Sequence, residues 1–542
     1  MEGSARIRRP PARDLLVLIL VVLLAAAIRG RLLDVPLERD EGEYAYAGRL
    51  ILEGVPPYVG IYNMKLPGIY AAYAATLGLF GESARGIHTG LLVVNAATIF
   101  ALYFLARKFL GRGGALAASA VFSLLSVGRA VQGIFANAEH FVILPATLGL
   151  LLVLEATERR SFALPYGAGL LLGLAFLTKQ HAAAFLLLGG TILLAGNLLR
   201  REGRDGAAGE GALSPRLSFA LFAAGAATPY GITCLLFALV GAFGDFWFWT
   251  VTYASAYVSQ VPISRLAPNL FARFADQARH APALWILVAG GGLALALRRW
   301  PGRRPAAVAL FAIFSVAATA PGLYFRPHYF ILLLPAASIL AGGAVEAAGA
   351  LSTGGGSMGR RAAPVLLLLA LGLSVYGQRS YLFEMTPDEA CRSTYGLNPF
   401  VESVEIARYI AERTDRDDRI AVIGSEPQIC FYADRRSATG FVYTYALMEN
   451  HRYALDMQRK MIAEIEAAAP RYIVYVRNRH SWDARPDSPT ALTDWFGGYR
   501  DAHYDLVGLV DMVPTTSTYR WGPPLPWPPR SEFWIGILER TR

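Results

Sequence analysis

The chain has 542 residues, of which 54% are hydrophobic and only 17% charged, and its mean hydropathy is +0.37. Repeated apolar runs of about 20 residues exclude an ordinary soluble protein and predict a polytopic α-helical membrane protein. The formal net charge of +10 does not indicate a nucleic-acid-binding protein, because the arginines cluster between apolar runs, as in loops retained in the cytoplasm. We therefore expect membrane lipids as partners and no nucleic acid.

The apolar runs predict the topology of the chain. The first, Leu15–Ile28, predicts a signal anchor, since many further hydrophobic spans follow it. We predict about eleven membrane-spanning helices, near 15–33, 87–106, 114–128, 141–156, 163–177, 182–199, 217–241, 282–297, 305–320, 329–349 and 362–377. The arginine- or lysine-rich loops 107–112, 158–160, 200–216, 298–304 and 360–361 then share the cytoplasmic side with the N-terminus. The long C-terminal tail lies outside, in a multi-pass protein of the cytoplasmic membrane.

The first external loop, residues 32–86, is amphipathic rather than apolar. Residues 43–52 and 67–80 carry helical periodicity, and turn-forming residues 54–57 separate them. We predict two helices that lie along the membrane surface. With this loop, residues 1–377 are expected to form the transmembrane catalytic domain.

From Pro387 onward the composition becomes that of a soluble domain. The strand-like runs 419–423 and 472–476 are separated by an amphipathic helix at 453–468. We therefore predict an extracytoplasmic α/β domain over residues 378–542. The sequence leaves open whether Cys391 and Cys430, the two cysteines of this tail, form a disulfide.

Carboxylates are concentrated directly after the first span, at Asp40, Glu41 and Glu43. A structural role would suffice for them: Asp40 would cap the following helix and Glu43 would complete a capping box. Carboxylates at membrane depth are functional by default, however. In that case Asp40 is a general base that accepts the proton of an acceptor hydroxyl.

Asp40-Glu41, Pro56-Pro57-Tyr58 and Lys65-Leu66-Pro67 together resemble motifs of the GT-C superfamily. The chain is most similar to glycosyltransferase family 39, which includes protein O-mannosyltransferases and bacterial lipid A aminoarabinose transferases. The resemblance implies that Asp40 is catalytic, with Glu41 beside it, and that Lys65 approaches the donor phosphate. Leu66 stands where the family motif has a proline.

Three further external positions carry polar residues beside apolar spans: Glu139-His140, Lys179 and Arg326. The resemblance implies a second acid at Glu139 and donor-phosphate contacts for Lys179 and Arg326. Ordinary explanations remain beside these: Glu139 starts a helix, Lys179 snorkels, and Arg326 belongs to an interfacial belt. The remaining substrate-binding candidates are Glu43, Tyr44, Tyr58, His140, His328 and Tyr329.

The function implied is inverting transfer of a sugar, hexosyl or pentosyl, from a polyprenyl-phosphate donor of the undecaprenyl type. The acceptor is a hydroxyl of a glycan, lipid or protein at the outer membrane face. No cofactor is required by the sequence; a divalent cation is left open, with Asp40, Glu139 and His140 as its candidate ligands. The rivals are a transporter or flippase of lipid-linked sugars and a non-catalytic glycan-binding sensor. The first predicts charges along the spans, whereas the ionisable residues here concentrate at their outer ends.

Overall fold

The computed structural model describes residues 10–196, 213–258, 261–351, 357–513, 516–525 and 528–541. The predicted cytoplasmic loop 200–216 lies mostly outside these residues. The chain divides into two compact units. The helical unit comprises residues 1–32, 88–236 and 261–384, and the mixed unit comprises residues 33–87, 237–260 and 385–542. The domain boundaries expected from the sequence stay a prediction.

The helical unit is built from helices that are apolar except for Leu266–His280, which is amphipathic. In chain order these are α1 (Ala12–Arg31), Ala84–Ala106, Arg112–Leu125, Ala138–Ala156, Ala163–Thr178, Ala183–Leu194, Pro215–Leu239, Leu266–His280, Pro282–Ala296, Pro305–Ala318, Leu334–Leu351 and Ser357–Gly377. Each predicted span overlaps one of them. Helix α1 leaves Leu16, Leu20 and Leu23 more than half exposed, as expected of a face that lipid covers.

Four helices of the described residues are long and apolar enough to cross a membrane: Ala84–Ala106, Ala138–Ala156, Pro215–Leu239 and Pro327–Ala350. Six further apolar helices are shorter, at 10–17 residues. A helix needs about 20 residues to span the hydrocarbon core upright. The structure thus bears out a helical membrane fold, and the count of eleven crossings stays a prediction.

Two helices of this unit approach each other closely through glycine. A Cβ atom added to Gly169 would lie 2.0 Å from the carbonyl oxygen of Phe222, and one on Gly225 would lie 2.1 Å from that of Tyr166. Small residues on facing helices let the two backbones make close van der Waals contact, which drives helix association in lipid.

Three loops that were predicted on the cytoplasmic side meet within the helical unit. Lys108 Nζ donates to Glu158 Oε2 at 3.0 Å, and Arg304 pairs with the other oxygen of Glu158. The backbone N–H of Arg303 donates to the carbonyl of Phe109 at 2.7 Å. These contacts show that the ends of the helices flanking 107–112, 158–160 and 298–304 lie together.

The mixed unit contains the first external loop and the tail. The loop forms α2 (Arg39–Leu52) and α3 (Pro67–Phe80), so both predicted loop helices are confirmed. The other helices of this unit are Phe243–Trp247, Ala254–Val258, Pro387–Tyr395, Phe400–Ala411, Pro427–Ala433, Tyr445–Met448, Ala454–Ala468, Arg479–Trp482 and Ala491–His503. The tail helix predicted at 453–468 is thus present, as Ala454–Ala468.

The tail is organised around a six-stranded sheet. Its strands are β1 (Arg419–Ile423), β2 (Arg436–Ser437), β3 (Tyr472–Arg477), β4 (Tyr504–Asp511), β5 (Thr518–Trp521) and β6 (Trp534–Arg540), in the order β2-β1-β3-β6-β4-β5. Strand β1 pairs in parallel with β2 and β3, whereas the pairs β3–β6, β6–β4 and β4–β5 are antiparallel. The central strands β1 and β3 are nearly continuous apolar runs because both their faces are buried.

Candidate active site

The site in the mixed unit begins at the N-terminus of α2. Glu38 caps this helix: its carboxylate accepts from the backbone N–H of Glu41 at 3.1 Å, and the Glu41 carboxylate accepts from that of Glu38 at 3.0 Å. This reciprocal pair is a capping box. The prediction that Asp40 is the cap and Glu43 completes the box was wrong, because the helix starts two residues earlier. The catalytic role expected of Glu41 stays a prediction.

Asp40 and Glu43 lie one helical turn apart and share one lysine. Lys65 Nζ donates to Asp40 Oδ1 at 2.7 Å and to Glu43 Oε2 at 2.8 Å. The Asp40 side chain is 18% exposed and that of Lys65 is 19% exposed, whereas Glu43 is sealed. We call these three residues the Asp40 cluster. Of the two acids in this cluster, Asp40 is the one that a substrate can reach.

Two neutral side chains donate hydrogen bonds to the Glu43 carboxylate. Tyr70 donates its hydroxyl to Glu43 Oε1 at 2.6 Å, and the Asn63 amide donates to Oε2 at 2.8 Å. Burial raises the pKa of Glu43, although the charge of Lys65 acts in the opposite direction. Burial would lower the pKa of Lys65, but the charges of Asp40 and Glu43 outweigh it and raise that pKa. Lys65 is therefore a fixed cation at neutral pH.

Aromatic rings enclose the Lys65 ammonium. Nζ lies 4.6 Å from the ring centroid of Tyr44 and 5.1 Å from that of Tyr443. The Tyr58 hydroxyl donates to the backbone carbonyl of Lys65 at 2.6 Å, and its ring is buried. Tyr44 and Tyr58 thus help to position the lysine, and their predicted contacts with substrate stay predictions.

The tail contributes a residue that sequence reasoning missed. The Tyr443 hydroxyl donates to Asp40 Oδ1 at 3.3 Å, so the candidate base is contacted from a position about 400 residues away in the chain. The local sequence around Tyr443 carries no motif that could have revealed this contact.

The neighbouring Arg39 fixes the start of α2 to the tail. Its guanidinium donates to the Ser425 carbonyl at 2.6 Å, to the buried Glu426 carboxylate at 3.0 Å and to the Tyr445 hydroxyl at 3.0 Å. One turn on, a Cβ atom at Gly42 would lie 2.6 Å from the backbone nitrogen of Gln428. A glycine between Glu41 and Glu43 is thus required for this close packing.

The helical unit holds a second ionic group, which we call the Glu139–Lys179 pair. Lys179 Nζ forms a salt bridge with Glu139 Oε1 and lies 4.6 Å from the ring centroid of Tyr329. Glu139 is buried, and its Oε2 has no hydrogen-bond partner among the described residues.

Histidines surround Tyr329. The rings of His181 and His328 lie 4.5 Å and 4.9 Å from it, centroid to centroid, and His328 Nδ1 lies 2.9 Å from Gln132 Oε1. The structure therefore brings the predicted residues His328 and Tyr329 to the Glu139–Lys179 pair. Their substrate contacts stay predictions.

His140 and Arg326 are the two other predicted site residues of the helical unit. His140 is buried in the first turn of helix Ala138–Ala156, and its backbone N–H donates to the Asn137 carbonyl. The Arg326 guanidinium packs over the ring of Tyr324 at 5.3 Å from the centroid. The donor-phosphate roles of Arg326 and Lys179 stay predictions.

No group of three His, Cys, Asp or Glu side chains suited to a metal ion occurs in the described part of the chain. The ligands considered for a cation, Asp40, Glu139 and His140, thus do not form such a set within either unit of the described chain. Cys391 and Cys430 are separate buried thiols. Cys391 Sγ faces the Pro36 carbonyl at 4.0 Å, so the disulfide that the sequence left open is not formed in this structure.

Solved structures define the class of the fold. The chain aligns with ArnT from Cupriavidus metallidurans bound to undecaprenyl phosphate, with a TM-score of 0.58 and 15% identity over 98% of both chains. It also aligns with the archaeal oligosaccharyltransferase AglB from Archaeoglobus fulgidus, solved with an inhibitory peptide and a dolichol-phosphate. That alignment has a TM-score of 0.52 and 14% identity, and it covers 95% of this chain and 75% of AglB. At such identities the likeness shows the fold, which is that of a GT-C membrane protein.

A family model agrees with the fold. Residues 65–205, less than half of the chain, match the model of the dolichyl-phosphate-mannose-protein mannosyltransferases. No curated protein sequence matches the chain. The resemblance to the GT-C superfamily that the Asp40-Glu41 and Lys65-Leu66-Pro67 motifs indicated is confirmed.

Proposed function

We propose that the chain is an inverting glycosyltransferase that moves a hexosyl or pentosyl group from a polyprenyl-phosphate donor to an acceptor hydroxyl. The observation that carries the proposal is the Asp40 cluster: a partly exposed carboxylate lies 2.7 Å from a lysine ammonium. A base and a cation side by side are what such a displacement needs. Binding of lipid phosphates by the ArnT and AglB structures supports this choice of donor.

The reaction follows from the positions of the two groups. Asp40 takes the proton of the acceptor hydroxyl as its oxygen forms a bond to the anomeric carbon. The bond from that carbon to the phosphate oxygen breaks, and the lipid phosphate leaves with the electron pair. Lys65 stabilises the charge that develops on this phosphate. Because Lys65 also pairs with Glu43, it can turn toward a phosphate and still be held at one carboxylate.

We further propose that all eleven predicted spans cross the cytoplasmic membrane, with the N-terminus inside and the tail outside. The meeting of Lys108, Glu158 and Arg304 at one place in the helical unit supports a common side for their loops. Single cysteines replacing Arg160 and Asp483 in a cysteine-free background test this. An impermeant maleimide added to intact cells should label position 483 and not position 160; the reverse pattern would overturn the topology.

The function is tested by transfer of radiolabelled sugar from a panel of polyprenyl-phosphate donors to a membrane extract. The purified wild type is compared with Asp40→Asn, and Asp34→Asn is the matched control, because Asp34 is an exposed carboxylate of the same loop, paired with Arg85. We expect Asp40→Asn to lower the rate by about 10²–10⁴-fold and Asp34→Asn to leave it unchanged. Full activity of Asp40→Asn would eliminate Asp40 as the base. Absence of transfer from every donor would favour the transporter or sensor.

A further inference from the structure

A cavity of about 380 Å³ lies in the mixed unit, between the C-terminal end of α2 and the edge of the sheet at β1 and β2. Five arginines and three carboxylates line it. The cavity therefore carries an excess of positive charge.

Two of the five arginines are buried and fully engaged. Arg49 donates to Glu82, to Asp434 and to the Phe431 carbonyl. Arg435 donates through all three of its side-chain nitrogens to oxygen atoms of nearby residues of the tail. These two side chains add positive charge to the cavity wall and have little donor capacity left for a ligand.

The other three arginines are exposed to the cavity and mostly unengaged. Arg416 Nε donates to Asp434 at 2.8 Å. Arg419 Nη1 donates to the Ser437 carbonyl at 3.2 Å, and Arg436 Nη2 donates to Glu53 at 2.8 Å. The side chains of Arg416 and Arg436 are 80% and 52% exposed. Each guanidinium has five N–H donors, so most of them are available to a ligand.

Asp434 orders this wall. Its Oδ1 accepts from Arg49 at 3.0 Å while its Oδ2 accepts from Arg416 at 2.8 Å. One carboxylate thus holds a buried and an exposed guanidinium next to each other. The partly engaged guanidinium groups that line the cavity, Arg416, Arg419 and Arg436, suit an anion that presents several acceptor oxygens at once, because their planar forks match a phosphate in geometry and charge.

We propose that this cavity is a binding site for a phosphate-type oxyanion, separate from the Asp40 cluster. Both sites include residues of α2, and the nine residues from Asp40 to Arg49 correspond to about 13 Å along a helix. The ligand is a phosphate ester or diphosphate, carried either by a lipid headgroup or by a soluble molecule. The inference rests on the cavity alone and does not require that the chain be a glycosyltransferase.

Calorimetric titration of the purified full-length chain with inorganic pyrophosphate at low salt tests the site. We expect saturable binding, weakened about tenfold or more in Arg416→Gln/Arg436→Gln. The matched control is Arg459→Gln/Arg500→Gln, which removes the same charge from exposed arginines that also have one acidic partner each, Asp456 and Asp501. The control should change the affinity by less than about twofold.

Glu53→Gln gives a readout of opposite sign. This substitution removes a negative charge from the cavity and releases Arg436, so the affinity for pyrophosphate should rise. Absence of saturable binding, an equal loss of affinity in the control variant, or weaker binding by Glu53→Gln would each overturn the proposal.

A second arm identifies the source of the phosphate. The protein is reconstituted into nanodiscs that contain phosphatidic acid and into nanodiscs of neutral lipid alone, and pyrophosphate is titrated into both. Competition by phosphatidic acid that disappears in Arg416→Gln/Arg436→Gln assigns the site to a lipid headgroup. Equal pyrophosphate affinity in both nanodiscs assigns it to a soluble phosphate.

Discussion

The Asp40 cluster and the Glu139–Lys179 pair are built from the same charge types but differently arranged. In the cluster one lysine serves two carboxylates, and the acid that is partly exposed is the one next to the cation. In the pair a single lysine serves a single buried acid beneath an aromatic ring. A partly exposed lysine that is paired with two carboxylates can leave one of them to bind a substrate and remain paired with the other. A one-to-one buried pair cannot do so without leaving a charge unpaired.

The largest effect on stability is expected for Lys179→Met. It leaves the buried Glu139 carboxylate without a cation, which costs about 3–5 kcal/mol. The double variant Glu139→Gln/Lys179→Met should recover most of this loss, because no buried charge remains. Thermal unfolding of both variants in the same detergent measures the difference. Equal melting temperatures for the two variants would show that the pair is not the origin of the effect.

Lys65→Met should affect turnover more than stability. When the lysine is lost, water can solvate the partly exposed Asp40, and the buried Glu43 keeps the hydrogen bonds that Tyr70 and Asn63 donate to it. The transition-state charge on the leaving phosphate loses its cation, which we expect to lower kcat by about 10²–10³-fold. The assay is sugar transfer at saturating donor, with Lys460→Met, a half-exposed lysine of the same unit, as the control. A loss of stability as large as that in Lys179→Met would remove the contrast between the two groups.

Tyr443→Phe should have a smaller effect. It removes one hydroxyl that donates to Asp40 at 3.3 Å, a hydrogen bond to a charged group worth about 1.5–3 kcal/mol at most. Because Tyr443 acts through Asp40, the acidic limb of the pH profile of kcat should move to higher pH when this donor is lost. A lower rate with an unchanged pH profile would mean that Tyr443 only supports the fold.

Glu43→Gln should have the smallest effect, a partial loss of the stability that protonated Lys65 contributes. The raised pKa of Lys65 means that its contribution to stability is complete below about pH 10.4, the unperturbed value, and is lost as the pH rises through the folded-state pKa. Removing the charge of Glu43 lowers that pKa, so protonated Lys65 should contribute less stability to the variant below about pH 10.4, and the difference from the wild type should shrink at higher pH. Melting temperatures between pH 8 and pH 11 measure this difference. Coincident curves would show that Glu43 does not hold the charge of Lys65.

Much of the fold followed from local patterns. Long apolar runs located the helices of the helical unit, and helical periodicity located α2 and α3. The strands β4 and β6 were missed, because β6 is placed in the middle of the sheet by pairing with both β3 and β4, and no local pattern encodes such a position. Glu38 was missed as a cap since glutamate is not among the favoured capping residues.

The candidate site was predictable only where its members are close in sequence or belong to a motif. Asp40, Glu43 and Lys65 lie within one loop, and the structure brings them together. Tyr443 and the Arg39–Glu426 salt bridge join segments that are nearly 400 residues apart. Such contacts depend on the packing of the tail against α2, which the sequence of either segment alone does not determine.

The most direct test of the account separates donor binding from chemistry in Asp40→Asn and Lys65→Met. Binding of undecaprenyl phosphate and the rate of sugar transfer are measured on the same preparations. The account predicts that Asp40→Asn binds the lipid phosphate at least as tightly as the wild type while its turnover falls about 10²–10⁴-fold. It predicts weaker binding by Lys65→Met. Loss of lipid binding in Asp40→Asn in parallel with turnover, or unchanged turnover, would contradict the assignment of Asp40 as the base and Lys65 as the phosphate-binding cation.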